Sequence, residues 1–127
     1  MKEDIKRILI LIRNRWGISN SIKKSRESSL IILGNILNTS IKVTGNSKIS
    51  IGEGCRINNA LILVIGNYNS VEIGEGVFFS GKIELIGDSN VIKIGKNTRI
   101  NGAEFIVHNG TKVEIGSNCL FSTKIDV

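Results

Sequence analysis

The sequence predicts an all-β chain wound as a parallel β-solenoid with coils of about 21 residues, preceded by an amphipathic α-helix. The first observation is a repeat. The dipeptide Ile-Gly recurs at Ile51-Gly52, Ile73-Gly74, Ile94-Gly95 and Ile115-Gly116, at separations of 22, 21 and 21. The second is alternation around each copy. Ile49, Val71, Ile92 and Val113 stand two places upstream of the Ile-Gly pairs, and the intervening column of Ser50, Glu72, Lys93 and Glu114 is polar, which is the period-two spacing of a half-buried strand. The third is composition. Of 127 residues, 24 are isoleucine, 14 are glycine, none is proline and 5% are aromatic, so a core would be built from β-branched aliphatics that favour strands. A chain of this length fits a single domain.

From the N-terminus, Ile5, Ile8, Leu9, Ile12 and Trp16 fall on one helical face, which predicts a helix over residues 3–16 stopped by Gly17. A polar and basic linker, Ser19 to Ser29, follows, and the apolar run Leu30 to Leu33 opens the solenoid. The division is therefore residues 1–29 for helix and linker and 30–127 for the β-helix. The repeat proper is in register by Gly45, because Gly45, Gly66, Gly87 and His108 recur every 21 residues as a turn column. A second corner follows each Ile-Gly pair at Gly54, Gly76, Asn97 and Asn118, residue types that accept positive φ at little cost. Beyond it come a small column, Cys55, Val77, Thr98 and Cys119, and a large one, Ile57, Phe79, Ile100 and Phe121. Such a unit cannot bury its apolar side alone and must stack on its neighbours. Leucine-rich repeats share the period, but their Leu-x-x-Leu-x-Leu pattern is absent.

Net charge is +6, with eight basic and three acidic residues in 1–29 and nearly balanced charge beyond. A basic arm can meet nucleic acid or an anionic membrane, but it also suits the solvated side of a helix covering the first coil, the reading preferred here. With few aromatics to stack bases, a nucleic-acid role rests on that arm alone and is not favoured. No apolar run reaches the ~20 residues of a membrane span, and Ile8 to Ile12 is too short for an export signal, so a cytoplasmic chain is expected.

The segments Ile51-Gly52-Glu53-Gly54-Cys55-Arg56-Ile57 and Ile94-Gly95-Lys96-Asn97-Thr98-Arg99-Ile100 resemble the hexapeptide-repeat acyltransferases, over about residues 41–127. Gly-Asn-rich turns such as Gly66-Asn67-Tyr68-Asn69 make the chain most similar to bacterial O-acetyltransferases of sialic acid and capsular polysaccharide. The resemblance implies a left-handed parallel β-helix, a homotrimer, acetyl-CoA as co-substrate in a groove between subunits, and a sugar acceptor; no metal is expected, because no second Cys or His stands at ligand spacing. The left hand comes from the resemblance alone, since parallel crossovers elsewhere are right-handed. The groove needs two subunits, so the resemblance assigns no residue of this chain to the cofactor.

The resemblance also implies a histidine as general base on a later coil, in a Ser-Asp-x-His pattern. Val127 falls in the column of Leu63, Leu85 and Ile106, in mid-coil, so the expectation is a chain that stops before that coil. His108 is the one histidine and hence the one catalytic candidate, although a histidine in a surface turn is ordinarily just solvated. Cys55 and Cys119 share a column three coils apart, about 14 Å at ~4.8 Å per coil, and should be free thiols without a zinc site. Glu104 falls among inward aliphatics, so either a bulge at Ala103 to Phe105 turns it outward, the reading preferred here, or it has a partner at a site. The competing function is a bactofilin-like structural solenoid that assembles through its open ends. An ice-binding role is excluded because the threonines do not share a column.

Overall fold

The computed structural model describes residues 8–10, as backbone, and residues 20–121. Strands follow one another as β1 (Ile8–Ile10), β2 (Ser21–Lys24), β3 (Ser29–Ile32), β4 (Asn35–Leu37), β5 (Ser40–Val43), β6 (Lys48–Ile51), β7 (Arg56–Ile65), β8 (Ser70–Ile73), β9 (Phe78–Ile86), β10 (Val91–Ile94), β11 (Arg99–His108), β12 (Lys112–Ile115) and β13 (Leu120–Phe121). All pair in parallel with the strand one coil away. The result is a β-solenoid of about five turns. One sheet has the order β1-β3-β6-β8-β10-β12, which we term face one. The other bends. Both β4 and β5 pair with β7, at Arg56 to Asn58 and at Leu61 to Val64, so the long strands β7, β9 and β11 each cross a corner and supply faces two and three.

The N-terminal expectation is corrected in part. Ile8–Ile10 is not helical but a strand against Leu30 to Ile32, and the rest of the segment expected as helix lies outside the described residues. A run of isoleucine and leucine satisfies either period, and an open edge of face one offers it a ladder of backbone partners. The solenoid also starts before Leu30, since Ser21 to Lys24 of the expected linker pairs with Ser40 to Val43 of β5.

Corner one matches the sequence reading. Gly54, Gly76, Asn97 and Asn118 adopt φ of 73°, 68°, 57° and 58°. Corner two does not keep the even period. The pairing slips by one residue between Ile57 and Ala60 against β9, and again between Asn101 and Ala103. The second slip sets Glu104 opposite Lys82, on the exposed side, and puts Phe105 inward opposite Ile83. The predicted outward turn of Glu104 therefore holds, with the irregularity just before it. The same slip moves His108 out of the glycine column, because it pairs with Ile86, which pairs with Ile65. Likewise Ile106 and Leu63 share an outward column with Glu84, while Leu85 stacks inside between Val64 and Val107.

The interior is built chiefly of aliphatic side chains. Ile32, Ile51, Ile57, Ile62, Ile83, Ile92 and Ile100 are fully buried, with Phe79 the largest side chain among them. The two ends differ. In the first coil the inward column that reads Val43, Val64, Leu85 and Val107 begins with Lys24, whose Nζ donates to the carbonyls of Ser25 and Ser28 at 2.8 and 2.9 Å. In the last described coil Val113, Ile115 and Phe121 pack on the core but remain half-buried.

Candidate functional site

His108, the sequence's one catalytic candidate, is the last residue of β11 and is exposed. Its carbonyl accepts a hydrogen bond from the Thr111 hydroxyl at 2.6 Å, which closes the corner behind it. The two cysteines are free, as expected. Cys55 is buried, and burial pushes its thiol up from the ordinary value, which keeps it protonated while Sγ donates to the Gly74 carbonyl at 2.8 Å. Cys119 lies at the half-covered end of the same column.

Corner three carries the densest polar structure. Inside it run Ser28, Ser47, Asn69, Asn90 and Thr111, one rung per coil. Asn69 Oδ1 accepts from the Asn90 amide at 2.8 Å and Asn90 Oδ1 from the Thr111 amide at 3.0 Å. In return Asn69 Nδ2 donates to the Gly87 carbonyl at 2.7 Å, and the hydroxyls of Ser47 and Ser28 donate to the carbonyls of Gly66 and Gly45. Outside it, Asn67 Oδ1 accepts from the Asn46 amide and Asp88 Oδ1 from the Asn67 amide, both at 2.9 Å. Side chains therefore supply the partners that corner backbone would otherwise lack.

A cleft of about 480 Å³ opens beside this corner, lined by Glu27, Ser29, Asn46, Lys48, Tyr68 and Ser70 among others. Tyr68 is 69% exposed and adopts φ of 61°. The left-handed region is unfavourable for a bulky side chain, at about 1–3 kcal/mol, and such strain concentrates at functional positions. The corresponding place one coil on is Ser89, with φ of 62°, so the corner itself does not call for an aromatic. Ser70 is 8% exposed, and its hydroxyl has no hydrogen-bond partner among the described residues. Neither residue was singled out as a site from sequence. The one available signal was that Tyr68 is the sole tyrosine, set in a Gly-Asn-x-Asn corner.

Elsewhere the outside is an array of charge. On face one Lys112 pairs with Glu114 at 2.7 Å and Lys93 with Glu72 at 3.7 Å, and on face three Lys82 pairs with Glu84 at 3.0 Å. Exposed pairs of this kind contribute little to stability. On face two Arg56, Phe78, Arg99 and Leu120 form an outward column in which the Arg99 guanidinium lies 5.3 Å from the Phe78 ring centre. On face three Leu61 and Leu63 are half-buried and Ile65 exposed on β7, and the ion pair of Lys82 with Glu84 on β9 separates them from the exposed Ile106 of β11. No protein-family model matches the chain, and neither a curated protein nor a solved structure matches it.

Proposed function

We propose that the chain forms the solenoid platform of an acetyl-CoA-dependent O-acetyltransferase that modifies a sugar hydroxyl in surface-polysaccharide synthesis. The observation that carries this reading is the motif itself. Ile-Gly-x-Gly/Asn, then small, then large, recurs four times, and its residues build the coil through inward isoleucines, a left-handed corner and an inward ring or isoleucine. In this reading the coils wind left-handed and three copies associate in the cytoplasm, with acetyl-CoA held between neighbours. The outward apolar run of Leu61, Leu63 and Ile65 on β7 supports association of copies, since exposed apolar patches mark contact surfaces.

In the reaction the acceptor hydroxyl oxygen attacks the thioester carbonyl, its proton passes to a base, the C–S bond breaks and coenzyme A leaves as the thiol. Histidine suits the base because it titrates near neutral pH. By the resemblance that base stands on a later coil, in a Ser-Asp-x-His pattern; within the sequence in hand His108, which is exposed, is the one candidate. Analytical ultracentrifugation is expected to find a trimer, and calorimetry to find acetyl-CoA bound to it. A monomer that ignores acetyl-CoA would overturn the reading.

A structural solenoid is the second reading, favoured by the stacking of near-identical rungs such as Ile32, Ile51 and Ile73, which coils of the same kind can continue. Lys24 argues against stacking one copy head-to-tail on the next, because it sets an ammonium at the first described rung of an otherwise aliphatic column. An inward charge at a sheet edge is a familiar block to such pairing. Electron microscopy that showed filaments growing from unlike ends would reverse this preference.

A further inference from the structure

We propose that the cleft at corner three binds a pyranose ring of a glycan, with Tyr68 as its stacking platform. This inference goes beyond acyl transfer and stands without it, because the cleft lies on the coils of β3, β6 and β8, whereas His108 closes the coil of β10.

Three observations converge on it. The cleft, at about 480 Å³, falls within the volume range of small-molecule sites. Its one ring, Tyr68, is held outward in a left-handed conformation that the next coil achieves with a serine, so the protein keeps an aromatic where the corner gains nothing from it. Ser70, in the same lining and in the column of Ser29 and Lys48, carries a buried hydroxyl with no partner among the described residues. A buried polar group left unmet is costly and rare, and a ligand hydroxyl reaching it as the cleft adjusts supplies the missing partner.

The lining also selects the chemistry. Glu27 accepts hydrogen bonds, Lys48 donates them, and the Ser29 hydroxyl and Asn46 amide do both. One carboxylate beside one ammonium gives no surplus of positive charge, so a phosphate-rich nucleotide is a poor match. A pyranose suits the set, since one face of the ring presents C–H groups to an aromatic and its rim presents hydroxyls to mixed donors and acceptors.

The test titrates the whole chain with chitotriose, maltotriose and coenzyme A, following amide shifts and saturation transfer to the sugar protons. At least one trisaccharide is expected to bind at millimolar concentration or better, with transfer strongest on the ring protons that face Tyr68. Tyr68→Phe is expected to retain binding, and Tyr68→Asn to weaken it about tenfold, the effect of losing one stacking ring. Asparagine takes the left-handed conformation readily, so Tyr68→Asn should fold at least as well as the parent. Ser70→Ala is expected to weaken binding about threefold without loss of thermal stability, an outcome that a purely structural serine does not produce. The proposal fails if neither trisaccharide binds, if Tyr68→Asn binds as the parent does, or if coenzyme A alone shifts the cleft residues. The trisaccharide results leave acetyl-CoA binding and acetyl transfer untouched, so the two readings fail separately.

Discussion

The aliphatic columns inside the solenoid and the polar ladder inside corner three stack at the same spacing but do different work. In the columns, Ile51 lies between Ile32 and Ile73, and Ile62 between Ile41 and Ile83, so each rung meets a near copy of itself. Such contacts reward burial at roughly 25 cal/mol per Å² but barely distinguish one rung from the next. The ladder of Ser28, Ser47, Asn69, Asn90 and Thr111 is selective, because each donor finds its acceptor only when adjacent coils are in register. The columns supply the driving force, and the corner fixes which coil sits on which.

The comparison is broken most severely where the two regions meet. A Cβ placed on Gly66 would lie 1.9 Å from the Gly87 carbonyl oxygen, on a backbone whose φ of +123° already disfavours a side chain. Gly66→Ala is therefore expected to cost more than ~4 kcal/mol and to leave little folded protein by circular dichroism. Gly54 is the control. Its φ is +73° with only ordinary contacts around a built Cβ, and asparagine fills the same corner at Asn97 and Asn118, so Gly54→Asn should shift the thermal midpoint little.

Next in size is a cavity in the columns. Ile83 is fully buried between the Ile62 and Phe105 rungs, and Ile83→Ala should cost about 2–5 kcal/mol in urea unfolding with the register unchanged. Asn90→Ala should cost less, about 1–3 kcal/mol, because it strips a partner from the Thr111 amide and another from the Ile86 carbonyl. What separates the two is a different readout. Asn90→Ala should increase amide exchange at Asp88, Ser89 and Thr111, while Ile83→Ala should leave that corner protected. Equal exchange in both variants would mean that the ladder adds only stability and no register.

The even spacing of Ile-Gly was enough to read the coil, the inward columns and corner one, because strand alternation and positive φ both leave marks on residue type. Corner two was not legible. In the coil of β11 the residue added there is offset by one fewer at corner three, so the Ile-Gly spacing stays at 21 and counting by 21 carried His108 into the glycine column. Glu104 was the one visible symptom, since a carboxylate among aliphatics demands a slip. Lys24 stayed hidden for a related reason. Ser21-Ile22-Lys23-Lys24 reads as a basic linker, and only its pairing with β5 shows that the second lysine ends an inward column. Among candidate site residues His108 drew attention from sequence because the chemistry of its type is distinctive. Tyr68 and Ser70 were missed because exposure and an unmet hydroxyl are properties of packing rather than of residue identity.

The smallest expected effect tests whether charge on the outside fixes register as the ladder does inside. Lys112 and Glu114 sit two places apart on β12, with Glu114 stacked beyond Lys93 and Glu72. The Lys112 ammonium holds the Glu114 carboxyl below its ordinary range, first by their hydrogen bond and then by its charge, and the same bond raises Lys112. A depressed carboxylate adds stability that is present above its unfolded value and is lost as pH falls through the folded one. A raised lysine adds stability that is present below its unfolded value and is lost only as pH climbs through its folded value in strong alkali. Both groups are more than half exposed, so water and salt screen most of the interaction. Glu114→Gln should therefore leave the thermal midpoint at neutral pH almost unmoved, remove only a faint acid-side loss, and be indistinguishable from the parent in high salt. A large drop at neutral pH would show that the outer charges also hold adjacent coils in step, and the division of labour between column and corner would have to be redrawn.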